Sequence, residues 1–210
     1  MRIVFLSDTH GKHKQIDVPA GDLLVHAGDI SGRGLPWQVR EFMEWFGAQP
    51  HTHKVMIAGN HDFLAETEPE TFRAMVPDNV IYLENEGVEI EGLKIWGSPI
   101  TPWFHDWAFN VHRGPDIARV WEKMPDKIDL LITHGPPHGI LDKVVTGEPV
   151  GCKELLKRVS EVKPTIHVFG HIHEARGEAL IGPVHYINAS NLNMEYEVAH
   201  APVVVELMDL

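Results

Sequence analysis

The stretch Ile3-Val4-Phe5-Leu6-Ser7-Asp8-Thr9-His10 decides how the rest of the chain is read: a short apolar run that stops in a carboxylate and an imidazole. Four more stretches repeat the design. Leu23-Leu24-Val25 runs into His26-Ala27-Gly28-Asp29, and Val55-Met56-Ile57-Ala58 into Gly59-Asn60-His61-Asp62. Leu130-Leu131-Ile132 runs into Thr133-His134-Gly135, and Ile166-His167-Val168-Phe169 into Gly170-His171-Ile172-His173. Unbroken apolar runs of this length read as strands buried on both faces. In open α/β sheets ligands bind beyond the carboxyl ends of the strands, which is where all five polar clusters fall.

Helical patterns lie between these runs. Pro36 suits a first turn, followed by Val39, Phe42, Met43 and Phe46 at spacings of three and four. The segments 115–124 and 152–162 look alike, the second carrying Leu155, Leu156, Val159 and Val162 on one stripe. Residues 88–96 alternate around Glu91-Gly92 as a hairpin does, and a second hairpin is expected over 179–187 around Gly182-Pro183. Val203 to Leu207 reads as a further strand, and the aromatic- and histidine-rich loop 103–114 carries no assignment. The expected architecture is α/β, two β-sheets packed together with helices outside, over residues 1–210 as a single domain.

The chain has 210 residues, 18 Lys plus Arg against 30 Asp plus Glu, and a formal charge of −12. That balance weighs against nucleic acid and against a polybasic membrane anchor as partners. The apolar run at Ile3–Leu6 is too short for a secretory segment, and no stretch reaches the ~20 apolar residues of a membrane span, so the expected location is cytoplasmic. The one cysteine, Cys152, excludes a thiolate metal cluster. Fifteen histidines raise the question of a metal held by nitrogen and oxygen instead.

Asp8 and His10 stand two apart, as do His171 and His173, a spacing that places both members of a pair on one side of an extended stretch. The donors are Asp8, His10, Asp29, Asn60, His134, His171 and His173. These are too many for one tetrahedral zinc and suit two divalent ions sharing a carboxylate. Mixed N/O ligation favours manganese, iron or zinc over calcium or magnesium alone. Two ions at about +4, less two aspartates, leave a centre near +2 that attracts an oxyanion such as phosphate.

Asp8-Thr9-His10, Gly28-Asp29, Gly59-Asn60-His61-Asp62, His134-Gly135 and Gly170-His171-Ile172-His173, in that order, resemble the calcineurin-like metallophosphoesterase superfamily. His134-Gly135-Pro136-Pro137, residues 167–174 and Tyr186-Ile187-Asn188-Ala189-Ser190 are similar to its small MPPED-type, class III-like phosphodiesterases. The resemblance implies a four-layer αββα sandwich of two mixed sheets, the metallophosphoesterase fold. It implies that Asp8, His10 and His173 hold one metal and that Asn60, His134 and His171 hold the other, with Asp29 bridging. His61 would face the substrate phosphate with Asp62 orienting it, while metal-bound hydroxide attacks phosphorus in line. Asn60, His61, His138 and Arg33 are the expected substrate contacts. Manganese heads the metals this ligand set admits, with Fe, Zn, Ni and Co behind it.

Other histidines have plainer readings. His26, His167 and His185 are expected as hydrogen-bonded structural residues, and His51, His53 and His200 as solvated surface. His13, His105 and His112 are loop candidates for phosphate or base contact. The expected activity is hydrolysis of small phosphodiesters, cyclic nucleotides among them. The alternatives are a phosphomonoesterase or protein phosphatase, a DNA nuclease, which the acidic balance disfavours, and a non-catalytic scaffold, which would lack His61 or a ligand. Oligomeric state is not legible.

Overall fold

The computed structural model describes residues 1–207. In chain order its strands are β1 (Arg2–Leu6), β2 (Leu23–Ala27), β3 (His53–Ile57), β4 (Ile81–Tyr82), β5 (Glu86–Ile90), β6 (Leu93–Ser98), β7 (Thr101–Pro102), β8 (Asn110–Val111), β9 (Leu130–Thr133), β10 (Ile166–Phe169), β11 (Gly177–Ile181), β12 (Val184–Asn188) and β13 (Val203–Glu206). The helices are α1 (Pro36–Gly47), α2 (Phe63–Thr67), α3 (Pro69–Arg73), α4 (Pro115–Trp121) and α5 (Lys153–Val162). One sheet has the order β13-β1-β2-β3-β4, the other β11-β12-β10-β9-β6-β5. Both are mixed: their interiors are parallel, antiparallel strands close both edges of the second sheet and the β13 edge of the first, and β4 closes the remaining edge parallel to β3.

The five apolar runs form β1, β2, β3, β9 and β10, and their alternation sorts side chains among three cores, one between the sheets and one on the outer face of each. Ile3, Phe5, Val25, Val55 and Ile57 meet Ile95, Leu130, Ile132, Val168 and Ile187 between the sheets. Their neighbours Val4, Leu6, Leu24 and Met56 face outward against Val39, Phe42 and Phe46 of α1. On the far side Trp96, Leu131 and Phe169 pack on Ile117, Trp121, Leu155 and Val159 of α4 and α5. Helix, sheet, sheet, helix is thus the layer order. Each fully buried aliphatic or aromatic side chain contributes roughly 1.5–3 kcal/mol. Both expected hairpins form, β5–β6 and β11–β12, and β13 pairs with β1.

Parallel register brings the carboxyl ends together. Leu6 lies opposite His26, Met56 opposite Tyr82 and Ile132 opposite Val168. A bridge between Ser7, after β1, and Ser190, after β12, ties the two sheets at that edge. The site is therefore built where two sheets converge.

Two histidines depart from expectation. His13 is not a loop contact for phosphate: its ring is buried, 5.4 Å from Phe42 and 5.0 Å from Trp45. His51 is likewise buried, with Nε2–H donating to the Pro19 carbonyl at 3.0 Å.

His26 and His167 are the structural residues the sequence suggests. Thr133 Oγ1 donates to the Gly135 carbonyl, so His167 Nε2–H must donate to that hydroxyl at 2.8 Å. His26 Nδ1 accepts from Gly28 N–H at 3.3 Å, which leaves Nε2–H for Thr9 Oγ1 at 3.1 Å. His26 is satisfied only when neutral, the buried His167 Nδ1 has no acceptor for a second proton, and burial pushes each ring from 6.5 down to about 3. The unfolded chain then binds more protons than the folded one below about pH 6.5, so stability falls as pH drops through that window. Each such histidine contributes about 1.4 kcal/mol per pH unit to the slope. In denaturant unfolding between about pH 6 and 4.5, His167→Leu should flatten the slope by about that share relative to the parent chain. An unchanged slope contradicts the neutral buried ring.

Candidate metal centre

The polar clusters do not continue their strands; they turn. Asp8, His10, Asp29 and His171 have φ of 54°, 42°, 57° and 68°, the left-handed region that L-residues rarely adopt. The extended backbone expected at both pairs is corrected accordingly; Asp8 and His10 still meet in one donor group, whereas His171 and His173 part. His171 goes to His134, with ring centroids 5.1 Å apart, while His173 goes to His10 at 5.3 Å. Such conformations cost of order 1 kcal/mol or more each and persist only where the surroundings enforce them. Here Asp8 N–H, His10 N–H and Gly11 N–H donate to the carbonyls of Gly28, Asp29 and Ile30, each at 3.0 Å, so the loops after β1 and β2 hold each other.

Two glycines admit the carboxylates. A Cβ on Gly59 would lie 2.3 Å from Asp29 Oδ1, and one on Gly170 would lie 2.0 Å from Asp8 Oδ2. Asp8 is further held by His171 N–H at 3.0 Å and by Ser190 Oγ–H at 2.8 Å. Asp29 Oδ1 accepts His61 N–H at 2.8 Å, which leaves Oδ2 facing inward.

Around Asp29 Oδ2 lie His134 Nε2 at 3.3 Å, His10 Nε2 at 3.6 Å and His61 Nε2 at 4.0 Å. Asn60 Oδ1 is 2.8 Å from the same His134 nitrogen. On the other flank, Asp8 Oδ1 is 3.5 Å from His173 Nε2, which is 3.4 Å from His10 Nε2. Donor atoms of Asp8, His10 and His173 lie within 4.8 Å of one another, as do those of Asp29, His134 and His171 and those of His10, Asp29 and His61. Main-chain carbonyls set the rings: the Nδ1 atoms of His134, His173 and His61 are 2.9 Å from the oxygens of Ala27, Asn193 and Gly32. Each Nδ1 therefore carries the proton, and each Nε2 is the nitrogen aimed at the cluster.

Burial alone would raise Asp8 and Asp29, but His173 beside Asp8 and His134 beside Asp29 outweigh it and hold both carboxyls well below their usual range. Burial opposes charge on His134 and His173, yet the carboxylates win and raise both to about 9. Burial dominates at His10 and His171, which fall to about 4 and about 3. Ionised carboxylates and an amide oxygen thus converge with imidazole Nε2 atoms in a water-poor setting. That donor set fits divalent cations, which would take the place of the protons on His134 and His173.

A cavity of about 340 Å³ opens on this cluster. Asn60, His61, His171 and His173 form its polar floor; Trp103, Phe104, Trp107 and Tyr196 wall it, with Arg113 among the lining. Trp107 stacks on His61 at 4.2 Å and 29°. Its loop is pinned by Ala108 N–H to the Asn60 carbonyl and by Phe109 N–H to Glu66 Oε1, at 3.1 and 2.7 Å. Tyr196 lies edge-on to His10 at 4.9 Å, and its N–H shares the Asn193 carbonyl with His173.

Three expected site residues fall elsewhere. Arg33 is exposed and outside the cavity, because its loop is turned back by Gln38 Oε1, which accepts Arg33 N–H. His138 also lies off the cavity wall, with Nδ1 3.8 Å from Asp142 Oδ2. Asp62 does not touch the His61 ring. Its oxygens accept Ile30, Ser31 and Gly59 N–H and the Ser31 hydroxyl, which fastens the loop whose Gly32 carbonyl orients His61. Burial, then the charge of Asp29, raise Asp62 to about 6. Trp107, Tyr196 and Arg113 are not among the expected residues; the aromatic density of segment 103–114 is a signal for the first and third, and Tyr196 has none.

A family model described as calcineurin-like phosphoesterase matches residues 1–175. Metallophosphoesterase domain-containing protein 1 of Homo sapiens and of Mus musculus are each 40% identical over 230 residues, covering 98% of this chain and 71% of theirs. A UPF0046 protein of Caenorhabditis elegans is 33% identical over 217 residues, 97% of this chain and 74% of that one. The crystal structure of TT1561 of Thermus thermophilus shares the fold at a TM-score of 0.60 and 13% identity, over 89% of this chain and 88% of that one.

Chelator-treated protein should gain melting temperature on addition of Mn²⁺, by the equivalent of about 2.7 kcal/mol at a hundredfold excess over the dissociation constant. His134→Ala should reduce or abolish that gain. A melting temperature indifferent to divalent ions contradicts a cation centre.

Proposed function

This chain belongs to the calcineurin-like phosphoesterase family, and from that premise we propose that it is a phosphodiesterase for small diesters, nucleotides among them, working with two divalent ions, manganese foremost. Metal-dependent hydrolysis of phosphate esters is the chemistry of the family. The finer reading is carried by one observation: two donor groups meet at Asp29 Oδ2 on the floor of a cavity, with His61 Nε2 4.0 Å from the same oxygen. Asp8, His10 and His173 would hold one ion, Asn60, His134 and His171 the other, and Asp29 would sit between. When bound, such a pair supplies Lewis acidity toward a phosphoryl group and lowers the pKa of water at the site.

The chain's own residues do the rest. His61 keeps its Nδ1 proton on the Gly32 carbonyl, so Nε2 is the atom free to hold a proton for the departing ester oxygen. Trp107 covers the ring face and limits its rotation. The aromatic walls of the cavity suit a diester, which presents an arm on either side of phosphorus, better than a small monoester.

With Mn²⁺, bis-p-nitrophenyl phosphate should turn over faster than p-nitrophenyl phosphate. The reverse order selects the phosphomonoesterase reading, and no turnover of either with any divalent ion contradicts both. His61→Ala should lower kcat by roughly 10²–10⁴-fold with metal content retained. Trp107→Ala should lower kcat in the parent chain and change little further in the His61→Ala background. Additive losses would mean that Trp107 acts independently of His61.

A further inference from the structure

Arg113 lines the same cavity as Asn60 and His61. Like Arg176, which lies off that cavity and donates to the Asn188 and Ala201 carbonyls, it is held by main-chain oxygens and not by a carboxylate. Arg2, Arg73, Arg119 and Arg158 each face a carboxylate at 2.8–3.5 Å. Arg113 instead donates through Nη1 to the Gly151 carbonyl at 2.7 Å and through Nη2 to the Val150 carbonyl at 2.5 Å. It makes no ion pair among the described residues. Glu154 turns away from it: Oε1 accepts Gly114 N–H, and Oε2 lies 3.4 Å from Cys152 Sγ. In a chain of charge −12, an exposed arginine held by neutral partners on a cavity wall keeps its positive charge available to a bound anion.

Two carbonyls set the guanidinium plane and occupy two of its five N–H donors. Beside it, Trp103 and Phe104 are 49% and 58% exposed, and Trp103 stacks on His112 at 5.8 Å and 23°. A planar apolar wall next to a pre-oriented guanidinium is a binding chemistry of its own, distinct from the cation ligands on the cavity floor.

We propose that Arg113, with Trp103 and Phe104, forms a second subsite that reads an anionic group on the ester arm remote from the scissile phosphate. This rests on the phosphodiesterase reading and narrows it: the substrate class is a phosphodiester whose planar spectator arm carries a further negative charge, carboxylate or phosphate. A diester with two neutral arms would leave the guanidinium unanswered.

The test holds the leaving group constant. In 4-carboxyphenyl 4-nitrophenyl phosphate, its 4-phosphooxyphenyl analogue and phenyl 4-nitrophenyl phosphate, only the spectator arm differs. With Mn²⁺-loaded protein, one or both charged arms should show KM at least tenfold below the phenyl ester, and whichever does identifies the anion. Arg113→Gln should erase that advantage and leave the phenyl ester within about twofold, with Arg113→Lys in between. Calorimetry on the Mn²⁺-loaded His61→Ala variant repeats the comparison without turnover. Equal KM for all three esters in the parent chain overturns the subsite and leaves the hydrolase reading standing. Tighter binding of a charged arm that needs Arg113, with no turnover in the parent chain, supports the subsite and overturns the hydrolase reading. A loss in Arg113→Gln of the same size on all three esters makes Arg113 a loop clamp and overturns the proposal.

Discussion

The carboxylate of Asp29 is the constraint on which the rest of the site depends. It stands at the end of β2 in a left-handed conformation, and Gly59 lets it press against the loop after β3. Oδ1 takes the backbone N–H of His61, while Oδ2 faces three imidazole nitrogens. An ionised group with almost no exposure is costly unless positive charge answers it. His134 answers it in part, and its own raised affinity for a proton is the counterpart of the lowered one at Asp29. The cluster is therefore poised for cations by the same forces that make it expensive to bury.

The fold meets that expense through register. Parallel pairing of β1, β2 and β3, and of β6, β9, β10 and β12, ends at one edge, where the Ser7–Ser190 bridge joins the sheets. Loops leaving that edge are stapled to each other rather than to solvent. Asp62 alone gathers three backbone N–H groups and a hydroxyl from the β2 and β3 loops. Strain at Asp8, His10, Asp29 and His171 is concentrated there and offset by the three hydrophobic cores behind it.

Much of this is written plainly in the sequence. Strands with two buried faces need unbroken apolar runs, so β1, β2, β3, β9 and β10 announce themselves, and the residues after them are the ones the fold brings together. Direction is another matter. Arg33 and His138 are close in sequence to ligands, but hydrogen bonds from their N–H groups to Gln38 Oε1 and to the Cys152 carbonyl aim their segments elsewhere. Asp62 acts through the Gly32 loop rather than on the His61 ring. Trp107 and Arg113 come from a segment with no period; their placement depends on anchors at Asn60, Glu66, Val150 and Gly151 that are distant in sequence. His13 and His51 look polar in a list of residues, yet the aromatic face of α1 and the Pro19 carbonyl accommodate them inside.

The central claim is that Asp29 stands between two cations. Its most direct test is metal content together with low-temperature electron paramagnetic resonance of Mn²⁺-reconstituted protein. Two manganese ions per chain with an exchange-coupled spectrum are expected, with loss of the coupling in Asp29→Asn. A single manganese per chain with an isolated six-line signal, unchanged by Asp29→Asn, would contradict it.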